Sequence, residues 1–126
     1  MRKILNFGHT VGHAVEALSG YALRHGECVA IGMVVEAEAG ERAGVTERGT
    51  AAAVRDAVRL AGLPGQVPAT MAPEAILAAT RGDKKARAGA VEYALPERVG
   101  TMASAGGRWS VPLPDRVVLE ALEASA

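Results

Sequence analysis

Residues 6–16 read NFGHTVGHAVE. His9 and His13 stand four positions apart, and so do Gly8 and Gly12. Positions i and i+4 of a helix share one face, so both imidazoles can project into one cavity. The glycines beside them remove side-chain bulk and let another backbone or a ligand come close. Alanine is the better helix former, so paired helical glycines point to a local geometric demand. Leu5, Val11, Val15 and Leu18 form an apolar stripe at helical spacing, which predicts a helix over 4–18, broken at Gly20 and Tyr21.

The rest of the chain extends this helical theme. GECVAIGMVVEAEAGER, 26–42, predicts a second helix, buried early and charged late, and Gly44 stops it. Thr46 reads as the N-cap of a third helix reaching about Ala61, with Glu47 in its first turn. LPGQVP at 63–68 is a turn-rich connector, and Pro73 suits the first turn of a fourth helix ending near Thr80. VEYAL at 91–95 and RWSVPL at 108–113 are short strand candidates, with Gly106 and Gly107 between them. Asp115 reads as the cap of a last helix, RVVLEALEAS. The expected fold is mainly α, with a small β-hairpin or pair of short strands.

Composition agrees with closely packed helices. Of 126 residues 49% are hydrophobic, but 26 are alanine, and there are only one Phe, one Trp and two Tyr. Such a core is small and aliphatic. A net charge of zero gives no footprint for nucleic acid or a membrane surface. One cysteine, Cys28, excludes an intramolecular disulfide framework and fits the reducing cytoplasm. No apolar run is long enough to span a bilayer.

The third histidine, His25, lies in RHGE at 24–27, ahead of the second helix. Its place at a positive helix end suits an anionic ligand and disfavours protonated imidazole. Neutral imidazole is the form that binds zinc. The spacing of His9 and His13 is equally that of hydrogen-bonded residues in a polar groove. It does not say which two histidines would be ligands. Thr10 stands where the zinc-protease pattern needs Glu, so metal-assisted peptide hydrolysis fits poorly.

The longer string LNFGHTVGHAVEALSGYALRHGECVAIGM, residues 5–33, closely resembles the signature of the 3-dehydroquinate synthases, members of the sugar-phosphate cyclases. Asn6, the GHT and GH motifs, Glu16 and HGE all fall in register. RGDKKARAGAVEYALPERVG, residues 81–100, is similar to the family's DKK segment and following strand. The resemblance implies that His9 and His25 ligate zinc (or cobalt) and that His13 faces substrate and transfers a proton. It implies that Asn6 contacts the substrate phosphate region, that Arg2 holds the substrate carboxylate, and that Lys84 or Lys85 reaches the phosphate. A lysine pair is also what an ordinary solvated face carries.

The implied reaction converts 3-deoxy-D-arabino-heptulosonate 7-phosphate to 3-dehydroquinate and phosphate, in the shikimate route, with NAD and a metal ion. Arg2 suits a planar carboxylate through two parallel hydrogen bonds. Relative to the family pattern, residues 1–126 cover part of a C-terminal metal- and substrate-binding helical domain. The NAD-binding domain and the glutamate that is the third metal ligand lie outside it, and no Gly-rich dinucleotide loop follows a strand here. Two histidines alone leave a catalytic zinc site incomplete. The isolated chain is therefore expected to be inactive, marginally stable and prone to associate; full-length relatives are expected to be homodimers. Two alternatives stand beside this reading. One is a portion of a related cyclase of the 2-deoxy-scyllo-inosose or valiolone type. The other is a non-catalytic metal-binding helical module.

Overall fold

In the computed structural model, residues 7–20, 22–81, 91–93, 96–98, 101–102 and 111–125 are described. Five helices dominate them: α1 (His9–Leu18), α2 (His25–Arg42), α3 (Thr50–Leu60), α4 (Pro73–Thr80) and α5 (Asp115–Ala124). Four short strands lie between α4 and α5: β1 (Val91–Tyr93), β2 (Pro96–Arg98), β3 (Thr101–Met102) and β4 (Val111–Leu113). The fold is mainly α, as expected. The strand candidates pair antiparallel, with Val91 opposite Leu113 and Tyr93 opposite Val111. A second antiparallel pair, β2 with β3, falls between them in the chain and has no counterpart in the sequence reading.

α2 is the central element, packed against α1, α3 and α5. One core joins Val11 and Val15 of α1 to Cys28, Ile31 and Val35 of α2, Ile76 of α4, and Val118 and Leu122 of α5. Tyr93 of β1 is buried in the same cluster. A smaller cluster joins Ala30 and Val34 of α2 to Val58 of α3. No helix among the described residues is long and apolar enough to cross a membrane.

The α1–α2 contact is backbone against backbone. A methyl group at Gly32 of α2 would overlap the Gly8 carbonyl oxygen and lie 2.7 Å from the Gly12 nitrogen. Gly12 approaches α2 in the same way, its Cβ position 3.0 Å from the Cys28 carbonyl oxygen. The two glycines of the opening motif thus meet the demand the sequence suggested, and a backbone fills the notch they leave.

Several boundaries differ from expectation. Residues 7–8 form a turn, not helix, and α1 begins at His9. Gly8 is its N-cap with φ 86°, a left-handed conformation that glycine adopts without steric penalty. Leu18 leaves the predicted stripe and is 43% exposed; Leu5 and Tyr21 lie outside the described residues. His25 is the first residue of α2 and does not precede it. The second half of α2 is buried as well, through Glu36, Ala37, Ala39 and Gly40. α3 starts at Thr50, four residues beyond the predicted Thr46 cap. The reason is tertiary: the Glu41 carboxylate of α2 accepts the Ala51 N–H at 2.6 Å, capping α3 from outside its own sequence. Asp115 is the first residue of α5, with Pro114 as cap. It ion-pairs with Arg81 at the end of α4, each charge at the helix end its sign favours.

Candidate functional site

The three histidines gather where α1 begins, along its exposed face, and where α2 begins. Ring centroids are 5.3 Å apart for His9 and His13, 5.5 Å for His9 and His25, and 6.0 Å for His13 and His25. The i, i+4 spacing on α1 produces the first distance. The other two depend on α2 beginning beside the His9–His13 face of α1. Ser19 closes the last turn of α1: its hydroxyl donates to the Glu16 carbonyl at 2.8 Å. Glu27 then reaches back to accept the Arg24 N–H at 2.8 Å, fixing the start of α2 beneath His25.

Glu36 anchors the histidine-bearing end of α1. It is fully buried. Its Oε1 accepts the Gly8 N–H and its Oε2 accepts the Val11 N–H, both at 2.9 Å. A carboxylate at a helix N-terminus satisfies orphan donors and complements the helix dipole. Here the carboxylate comes from the neighbouring helix, four residues after Gly32. The backbones of α1 and α2 meet at Gly32, and Glu36 clamps the end of α1 one turn further on. The sequence reading placed Glu36 in the charged later half of the second helix and did not single it out. The available signal was one acid between Val35 and Ala37, on the face of α2 marked by Gly32.

Hydrogen bonding fixes the form of two histidines. His9 Nδ1 donates to the Phe7 carbonyl at 3.4 Å, and His25 Nδ1 donates to Glu16 Oε1 at 3.1 Å. A carbonyl and a carboxylate only accept, so in each neutral ring the proton sits on Nδ1 and Nε2 keeps its lone pair. Two imidazoles on one tetrahedral ion, with metal–nitrogen bonds of about 2 Å, have ring centres about 5 Å apart. The His9–His25 and His9–His13 separations both fit that requirement, so ring spacing alone does not choose between the pairs, while the hydrogen bonds on Nδ1 leave Nε2 of His9 and His25 as the lone-pair nitrogens. Among the described residues, no three His, Cys, Asp or Glu side chains converge as a complete ligand set. The pair therefore suits a metal ion as part of a ligand set that needs a further donor.

Arg2, Asn6, Lys84 and Lys85 lie outside the described residues. His9 and His25 border an open groove of about 440 Å³ whose other walls are apolar: Val29, Ala30 and Met33 of α2, Val58 of α3, and Leu63. Cys28 lies one turn beyond His25 but is buried. Burial, then the charges of Glu16 and Glu27, push its thiol pKa up from the ordinary 9.0, so it is a poor nucleophile or metal ligand.

Comparison with solved proteins places this helical arrangement among the sugar-phosphate cyclases. A 2-deoxy-scyllo-inosose synthase solved with carbaglucose-6-phosphate, NAD+ and Co2+ superimposes with a TM-score of 0.85 over 96% of this chain and 33% of that one, at 22% identity. The 2-epi-5-epi-valiolone synthase of Streptomyces hygroscopicus, solved with NAD+ and Zn2+, gives 0.76 over 95% of this chain and 32% of that one, at 26% identity. Sequence narrows the assignment. The family described as "3-dehydroquinate synthase C-terminal" matches residues 1–86. The 3-dehydroquinate synthase of Nostoc punctiforme is 43% identical over 103 residues, which is 81% of this chain and 28% of that protein. That of Synechococcus is 37% identical over 127 aligned positions, covering all of this chain and 33% of that protein. The chain belongs to the 3-dehydroquinate synthase family and corresponds to the C-terminal portion of its members. It spans about a third of the length of these relatives.

Proposed function

We propose that this chain supplies the metal- and substrate-binding helical part of a 3-dehydroquinate synthase. The reaction converts 3-deoxy-D-arabino-heptulosonate 7-phosphate to 3-dehydroquinate and phosphate, a lyase step of aromatic amino acid biosynthesis in the shikimate route. The gathering of His9, His13 and His25 within 6.0 Å of one another, ring to ring, carries the reading. His9 and His25 would hold zinc or cobalt, with a third ligand from beyond the described residues. When bound, NAD would exchange a hydride with substrate and the metal would polarise a substrate oxygen.

The chain's own residues would do the rest. His13 is exposed on the same side of α1 as His9, one turn away. An imidazole there can pass a proton to and from substrate. Arg2 would bind the substrate carboxylate through two parallel hydrogen bonds, and Asn6 with Lys84 or Lys85 would hold the phosphate. NAD would bind in the part of the relatives that this chain does not cover. On the family resemblance, the whole enzyme would be a cytoplasmic homodimer.

The structural relatives act as other cyclases, but their 22% and 26% identities fall well below the 43% shared with the Nostoc punctiforme synthase. A chimera tests the reading, with this chain replacing the matching C-terminal portion of that relative. It should release phosphate from the carboxylate-bearing heptulosonate phosphate, and His9→Ala or His25→Ala should abolish this. Phosphate release only from a sugar phosphate without a carboxylate would instead assign the chain to a related cyclase.

A further inference from the structure

Glu16 has no part in the chemistry above, yet it follows His9 and His13 at i+7 and i+3 on the same face of α1. Its side chain is only 19% exposed, while that of His25, which it meets at 3.1 Å, is 56% exposed. A mostly sheltered carboxylate therefore holds a mostly exposed ring. The contact is not needed to start α2, because Glu27 already accepts the Arg24 N–H there. Glu16 accepts from Nδ1 and so leaves Nε2 of His25 as the lone-pair nitrogen. Carboxylates that orient metal-binding histidines in this way are a recurring part of metal sites, and their loss typically weakens metal binding about 10–100-fold.

We propose that Glu16 is a positioning residue that locks His25 in its Nδ1–H tautomer and fixes the ring for metal binding through Nε2. The proposal rests on the reading of His9 and His25 as the metal-holding pair. It differs from a packing role because it concerns one proton on one ring. Glu16 of α1 and His25 of α2 are joined, so the same contact sets the ring's distance from His9.

Two measurements on the 126-residue chain test it. The first is imidazole nitrogen-15 NMR of the metal-free protein with its rings neutral. His25 should be the Nδ1–H tautomer in the wild type and should shift toward Nε2–H in Glu16→Ala. The second is titration with Co2+ alone, followed by visible absorption. Glu16→Ala should weaken binding about 10–100-fold, with Glu16→Gln recovering part of the loss because its amide oxygen still accepts. Circular dichroism should be unchanged in both variants; if Glu16→Ala does not fold, Glu16→Met, which keeps the bulk and removes the acceptor, carries both measurements. A His25 that is Nε2–H in the wild type, or stays Nδ1–H without Glu16, overturns the proposal, as does undiminished Co2+ affinity in Glu16→Ala. Failure of the wild type to bind Co2+ overturns the metal reading, while the nitrogen spectrum still supports or overturns the tautomer lock.

Discussion

At the scale of single residues, Glu36 bears most directly on site geometry. A buried carboxylate is tolerated only when its oxygens are satisfied, and here each receives a backbone N–H of the α1 terminus. Glu36→Gln keeps size and shape but turns one acceptor into a donor facing an N–H. That leaves a buried donor unsatisfied and removes charge from the helix end. The expected cost is roughly 2–4 kcal/mol, read from the urea midpoint. The same variant should lower Co2+ affinity, because Gly8 precedes His9 and a loosened terminus moves the ring. An unchanged midpoint would mean that the clamp contributes nothing to the fold.

The α1–α2 pair shows the same logic at the scale of elements. Gly32 lies under Gly8 and Gly12, and any side chain there meets backbone that has no rotamer to change. Gly32→Ala is the smallest possible insertion and is favoured by helix propensity, yet it is expected to destabilise by at least about 3 kcal/mol. Thermal unfolding would show this, and an unchanged or raised melting temperature would refute the close crossing. This contact also explains how much of the fold could be read in advance. Gly8 and Gly12 announced a near approach because helical glycine is costly unless something needs the space. Their partner Gly32 was silent, because sequence does not say which helix faces which. The start of α3 was misread for a related reason: the Glu41 cap arrives from another helix, and Thr46 offered a local alternative. β2 and β3, at three and two residues, are too short to show a period. At the site, the His9–His13 face followed from helical spacing alone. The approach of His25 depends on where α2 begins relative to α1, which periodicity does not encode.

Two predictions belong to the molecule as a whole. The first is alkaline lability. Tyr93 is buried in the main core, within reach of the Glu36 charge. Burial, then the Glu36 charge, raises its pKa well above the ordinary 10.0, and Cys28 is raised above 9.0. Both groups are neutral in the folded core and ionise more readily once exposed. Above about pH 9 the unfolded chain therefore binds fewer protons than the folded one, and stability falls as pH rises. Each group contributes about 1.4 kcal/mol per pH unit once pH passes its unfolded pKa. Urea midpoints from pH 7 to 11 should be flat as far as these two groups are concerned until about pH 9, then drop. Tyr93→Phe should flatten the curve above pH 10, and an unbroken plateau to pH 11 in the wild type would refute the burial of both groups.

The second separates metal capture from catalysis. A catalytic zinc site takes three protein ligands and keeps one open position. The described residues bring His9 and His25 together, but no three of their His, Cys, Asp or Glu side chains form a set that could hold a metal ion. The groove beside them is walled mainly by apolar side chains, a poor surface for a sugar phosphate unless polar groups from elsewhere line its open side. Metal capture and turnover should therefore separate. The 126-residue chain should bind Co2+ weakly through the histidine pair, and His9→Ala or His25→Ala should remove that binding. Given NAD, Co2+ and the heptulosonate phosphate, it should release no phosphate. Adding the separately expressed remainder of the Nostoc punctiforme relative should restore release, provided the two parts associate, and His13→Ala in this chain should then lower the rate about 100-fold or more while leaving Co2+ binding intact. Phosphate release by the chain unaided would show that residues 1–126 assemble a complete site in solution.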